Sequence, residues 1–188
     1  NGAAIRGGTH QGMRDGSTWT RGQAWGIYGF ALSYRYTGDP VFLETSKRMA
    51  RYFIDRIPED GVVYWDFDAE RGEETSRDSS ASAIAACGML ELLSLLEPGD
   101  GQRGALRDAV ARTMEALSGA YSTAGHPEAE GLIDHGSYHV RGNLGLDGYM
   151  IWGDYFYMEA LMRIGRNVPG YWYEREVGYE PASLQRRS

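Results

Sequence analysis

The run Thr9-His10-Gln11-Gly12, followed by Asp15-Gly16-Ser17-Thr18-Trp19-Thr20-Arg21-Gly22-Gln23-Ala24-Trp25, gathers two tryptophans, an arginine, two glutamines and a histidine in one stretch. An arginine offers a planar fork of donors that can grip a carboxylate with two parallel bonds. A tryptophan offers a flat apolar face on which a sugar ring can lie. Gln11 and His10 add directional hydrogen bonds for hydroxyls. Together these types describe a pocket for an acidic sugar, with Arg21 as carboxylate clamp and Trp25 as platform.

Each of these residues also has a plainer structural reading. Arg21 could pair with Asp15 or Asp39 at a helix start, and Trp25 could pack in a core. Trp19 reads as core. Trp65 and Asp66 read equally as a loop anchor and a turn cap. Asp78 reads as a helix N-cap, and the helix dipole there lowers a carboxyl pKa, which suits it poorly as an acid. Glu159 could be a buried hydrogen-bond partner, the tyrosines of 155–157 read as core, and His135 and His139 read as solvated loop residues.

The elements that position these groups are helices. Helical spacing predicts segments at about 20–36, 40–57, 79–96, 102–121 and 153–164. Gly38 stops the first, and Asp39-Pro40 starts the second as N-cap and first helical residue. Pro58 closes the second. Residues 62–68 read as an extended loop segment without an obvious strand partner. Residues 122–148 form a long loop, a length that in compact domains is usually functional or disordered. The first, third and fifth helices are rich in small and aromatic residues, whereas the second and fourth are amphipathic and charged. Two layers result, an inner set buried on both sides and an outer set buried on one. The expected fold class is all-α, with a helical domain over 1–165 and a tail over 166–188.

Composition narrows the chemistry. The chain has 188 residues and a net charge of −7, which disfavours nucleic acid and anionic membrane surfaces as partners. Local donors, not net charge, govern a sugar pocket. The one cysteine, Cys87, lies in an apolar run and reads as a small buried hydrophobe. The four histidines form no metal-ligand pair, so neither a metal nor a cofactor is expected. No apolar run is long enough to span a membrane. The chain starts on Asn1 without a signal segment, so a truncated product is expected, cytoplasmic by preference and periplasmic as the alternative.

The ordered set of motifs resembles glycoside hydrolase family 88, the unsaturated glucuronyl hydrolases. It comprises His10-Gln11-Gly12, Trp19-Thr20-Arg21-Gly22-Gln23-Ala24-Trp25-Gly26-Ile27-Tyr28-Gly29-Phe30, Tyr64-Trp65-Asp66-Phe67, Arg77-Asp78-Ser79-Ser80-Ala81 and Trp152-Gly153-Asp154-Tyr155-Phe156-Tyr157. It covers roughly residues 8–165. The resemblance implies an (α/α)6 barrel, of which these helices would be the C-terminal part. It also implies removal of a 4,5-unsaturated uronate from lyase-generated oligosaccharides by hydration of a vinyl ether. Gln11, Arg21 and Trp25 match family positions that contact the uronate, and Tyr138 matches a cleft aromatic. The family's general acid, an Asp, falls upstream of His10, so no catalytic residue is assigned in this chain. Two alternatives remain: a non-catalytic uronate-binding remnant, and a related barrel enzyme such as an unsaturated rhamnogalacturonyl hydrolase or a sugar epimerase. Gln23-Ala24 after Arg21-Gly22 favours the glucuronyl enzymes over the rhamnogalacturonyl ones.

Overall fold

The computed structural model describes residue 3 and residues 5–172. It contains five α-helices: α1 (Thr20–Thr37), α2 (Pro40–Ile54), α3 (Ser79–Leu95), α4 (Arg103–Ser118) and α5 (Ile151–Arg166). A short 3-10 turn, Val140–Gly142, interrupts the loop before α5. No strand longer than an isolated bridge forms among the described residues. Residues 173–188 of the expected tail lie outside the described residues.

Local chemistry sets the helix ends. Gly38 adopts φ 69°, the left-handed conformation that glycine takes without a Cβ penalty, and its N–H bonds the Tyr34 carbonyl at 2.7 Å. The Asp39 side chain accepts from the Val41 N–H at 3.0 Å, with Pro40 at the first helical position. α2 ends at Ile54, three residues before the expected Ile57. The N–H groups of Arg56 and Ile57 bond the carbonyls of Phe53 and Ile54, a tightened 3-10 geometry that breaks the α pattern ahead of Pro58. α4 stops at Ser118 rather than Tyr121 because Gly119 leaves helical angles. α5 begins two residues earlier than expected, after an extended Met150.

α3 is the spine. Every residue from Ser79 to Leu93 is buried, and the helix touches α1, α4 and α5. Its small first half (Ala81, Ala83, Ala85, Ala86, Gly88) lets neighbours approach closely. A Cβ on Gly88 would lie 2.9 Å from the Tyr28 backbone nitrogen and from Ile27 Cγ2 on α1. α2 buries one face on α1, through Ala50 and Phe53, and α4 buries one face on α3, through Leu106, Val110 and Leu117. Full burial of a leucine such as Leu106 contributes about 1.5–3 kcal/mol. The inner and outer layering therefore stands, with one correction. Among the described helices only α3 is enclosed all round. α1 and α5 flank it and keep exposed faces that carry Trp25, Tyr155 and Met158. They are the two ends of an arc of inner helices that does not close within the described residues.

The C-terminal ends of the inner helices are tied by a buried ionic cluster. Glu91 on α3 accepts from Arg35 Nε of α1 at 2.6 Å and from Arg163 Nη2 of α5. Glu159 accepts from the Tyr28 hydroxyl and from Arg163 Nη1 at 3.2 Å, as the buried-partner reading expects. The arginines stand in the last helical turns, where the helix dipole favours positive charge. Nearby, the Cys87 thiol is fully buried and donates to the Phe156 carbonyl at 3.0 Å.

Two predictions follow from this packing. Gly88→Ala pushes a methyl group into the α1 backbone and should lower unfolding free energy by about 1–3 kcal/mol, read by urea denaturation. Unchanged stability would show that α1 and α3 can part without loss. Burial also raises the Glu159 carboxyl from its ordinary 4.5, against the pull of Tyr28 and Arg163. A carboxyl raised in the folded chain binds its proton longer there than in the unfolded chain. Its stabilising contribution is present below 4.5 and is lost as pH rises through the raised value. The melting temperature of the native chain relative to Glu159→Gln should therefore fall as pH rises above 4.5. Parallel curves would contradict it.

Candidate functional site

The N-terminal ends of α1, α3 and α5 face one side, and the segments 9–19, 62–78 and 121–150 precede them there. Asp66, fully buried, holds the first two segments together. Its Oδ2 accepts from the Met13 N–H at 2.9 Å and the Ser17 hydroxyl at 2.7 Å, and its Oδ1 from the Asp68 N–H at 3.0 Å. An isolated bridge pairs Trp19 with Asp66, and another pairs Tyr64 with Arg77. The 62–68 segment thus has partners on both sides, each too brief to make a strand. The Thr20 hydroxyl and N–H both bond the Trp65 carbonyl, which fixes where α1 begins.

Arg21, one residue into α1, is the hub. Its side chain is 4% exposed and Nη1 lies 2.9 Å from Asp78 Oδ2, whose side chain is 1% exposed. Nη1 also donates to the Ser137 carbonyl, and Nη2 donates to the Tyr138 carbonyl at 2.5 Å and to Gln11 Oε1 at 3.3 Å. The guanidinium sits 4.8 Å from the Trp19 ring and 5.2 Å from the Trp152 ring. The partners of the plainer structural reading, Asp15 and Asp39, are not used. Asp78 is used instead, and it caps α3 at the same time by accepting from the Ala81 N–H at 3.2 Å. Burial pushes the Asp78 carboxyl up, against Arg21 and the Ser80 hydroxyl. Desolvation therefore outweighs the lowering expected from the helix dipole. Burial likewise pulls the Arg21 guanidinium down. Arg21 does not present a free fork, because its terminal nitrogens are engaged with the fold.

The other sequence-selected residues surround this hub. Gln11 is half-buried against Arg21. Tyr138 is 47% exposed and its ring lies 6.0 Å from Trp152. His10 is exposed, with its ring 5.0 Å from that of His139, whose Nε2 meets the His10 carbonyl at 3.2 Å. His139 is therefore a packing partner rather than a solvated residue. Trp25, one turn along α1 from Arg21, is 38% exposed and rests edge-on against Phe156 of α5 at 5.2 Å. Trp19 is half-buried rather than in the core, because its ring packs against the Arg21 guanidinium instead of the apolar cluster.

Reading from sequence missed three contributors. Trp152 flanks Arg21 and donates from Nε1 to the Ser80 hydroxyl at 2.9 Å. Ser137 and Ser80 complete the shell around the guanidinium. Trp152 and Ser80 lie in the motifs at 152–157 and 77–81, a signal that could have found them. Ser137 acts through its carbonyl, so its side-chain type carried none.

No family model matches the chain. The chain is 61% identical over 175 residues to an unsaturated glucuronyl hydrolase of Bacillus sp. strain GL1, covering 93% of this chain and 46% of that relative. A solved structure described as UGL with dGlcA-Glc-Rha-Glc superposes with a TM-score of 0.90 at 61% identity, over 93% of this chain and 46% of the other. Over nearly its whole length the chain is a homologue of unsaturated glucuronyl hydrolases. A second solved structure, an unsaturated glucuronyl hydrolase variant from Streptococcus agalactiae complexed with dGlcA-GalNAc6S, superposes with a TM-score of 0.82 at 40% identity, over 92% of this chain and 46% of that one. The described helices are thus part of an α/α barrel. The chain spans about half the length of the relatives it matches.

The buried Arg21–Asp78 pair makes a direct prediction. Asp78→Asn and Arg21→Met should each cost about 3–5 kcal/mol in urea unfolding, because each leaves an uncompensated buried charge. The double variant should cost clearly less than the sum, since one loss removes the other's penalty. Additive losses would show that the two side chains act independently.

Proposed function

We propose that the protein is an unsaturated glucuronyl hydrolase, which removes a 4,5-unsaturated uronate from oligosaccharides by hydrating its vinyl ether. The observation that carries this reading is the 61% identity to the Bacillus enzyme over 93% of this chain. In this reaction a proton goes to C4, positive charge develops at C5 and the ring oxygen, and water adds at C5. The hemiketal then opens and releases the remaining sugar.

In this reading the exposed wall of Gln11, Trp25, Tyr138 and His10 holds the sugar. Trp25 supplies a π face beneath a ring that gains positive charge, an interaction that strengthens as the charge develops. Gln11 and His10 supply hydrogen bonds to hydroxyls or to the carboxylate. Arg21 acts from behind the wall, holding the Tyr138 backbone and the Gln11 amide in place. The proton donor is assigned to the Asp expected upstream of His10, in the part of the family fold that this chain does not span. The alternative is a uronate-binding remnant that holds the sugar on this wall without catalysis.

One assay separates the two. Incubated with an unsaturated chondroitin disaccharide, the intact protein should bleach the ultraviolet absorbance of the conjugated double bond. Trp25→Ala should lower kcat/KM about tenfold, matching the roughly 1.4 kcal/mol of a lost stacking contact. Binding without bleaching would select the remnant reading. Neither binding nor bleaching would defeat both.

A further inference from the structure

A cavity of about 620 Å³ opens between the segments 64–77 and 121–147, and none of its lining residues belongs to the wall just described. It falls within the range of about 300–1,000 Å³ usual for small-ligand sites. Its frame is rigid. Arg77 lies 3.8 Å over the Tyr64 ring, pairs with Asp60 at 2.7 Å and donates to the Val62 carbonyl at 2.6 Å. The Tyr121 hydroxyl donates to the same Asp60 at 2.9 Å. The Tyr121 ring stands edge-on to His135, and His135 pairs with Asp147 at 2.5 Å.

That frame leaves distinct chemistry free at the cavity. Arg77 lies over one face of Tyr64, and both side chains line the cavity. Arg71 makes one long bond, 3.4 Å to the Arg56 carbonyl, and most of its donors face solvent. Glu73, Glu74 and Asp147 add acceptors around the same opening. Two arginines against three carboxylates give no positive excess, so an anionic sugar has no electrostatic reason to enter. The carboxylates do not converge either: no group of three or more His, Cys, Asp or Glu among the described residues could hold a metal ion. Donors and acceptors interleaved around tyrosine rings suit a ligand whose every hydroxyl both donates and accepts.

We propose that this cavity is a second saccharide site, which takes a neutral hexose or N-acetylhexosamine unit. It is separate from the uronate wall but shares a partition with it. The Ser137 carbonyl accepts from Arg21 on the wall side, and the Ser137 hydroxyl donates to the Arg77 carbonyl at 2.7 Å on the cavity side. The lining alone carries this inference, which holds whether or not the protein hydrolyses an unsaturated uronate.

The test is calorimetric titration of the intact protein with cellobiose and with N,N′-diacetylchitobiose. At least one should bind, and binding should persist when unsaturated chondroitin disaccharide saturates the wall. Tyr64→Ala should weaken it about tenfold, the loss of one stacking contact. Arg71→Ala, at an exposed position where folding is not at stake, should weaken it in the same direction. Trp25→Ala should leave it unchanged. The inference is overturned if neither saccharide binds, if the uronate competes, if Trp25→Ala removes the binding, or if Arg71→Ala leaves it intact. Failure of the absorbance assay with retained cellobiose binding would defeat the hydrolase reading and leave this site standing.

Discussion

The organisation of the site depends on one buried ion pair, Arg21 with Asp78. A guanidinium taken out of water must satisfy its donors inside the fold, and the partners Arg21 finds come from three different segments. Asp78 begins α3, Ser137 and Tyr138 lie in the loop before α5, and Gln11 lies in the segment before α1. Three segments are thereby referenced to one group on α1. Asp78 in turn does two jobs with two oxygens, capping α3 through Oδ1 and holding Arg21 through Oδ2.

The opposite ends of the same helices repeat the solution with different residues. There Arg35 and Arg163 close on Glu91, and Tyr28 and Arg163 close on Glu159. Inner helices in this arc are thus clamped at both ends by charge and joined along their length by small residues. The apolar contacts supply the larger share of stability, and the buried charges fix which residue faces which. A slip of α1 along α3 would separate Arg21 from Asp78 and Arg35 from Glu91 at once.

Much of this was legible in the chain because it was local. Gly38, Asp39-Pro40 and Asp78-Ser79-Ser80 punctuate helices through their own backbone and side-chain preferences, and the structure places those boundaries where the residues indicate. The misplaced ends, at Ile57 and Tyr121, are where a helix tightens or unwinds over a few residues, a difference that periodicity does not register. The partner of Arg21 was not legible, since 57 residues separate it from Asp78 while Asp15 and Asp39 lie nearer in sequence. The same holds for Trp19, whose half-buried state follows from the guanidinium above it. The long loop 122–148 reads as irregular because its order rests on backbone bridges, such as Gly136 with Gly148 and His139 with Leu144, that leave little trace in side-chain type.

The single thiol has a consequence of its own. Cys87 sits at the middle of the spine with its sulfur turned toward α5, and burial pushes its pKa well above the ordinary thiol value. A reagent in solution meets neither the atom nor its reactive thiolate while α3 and α5 stay in contact. The rate at which this sulfur becomes modified is therefore a clock for transient openings of the helical layer. One atom, present once in the chain, reports the cooperativity of the whole arc.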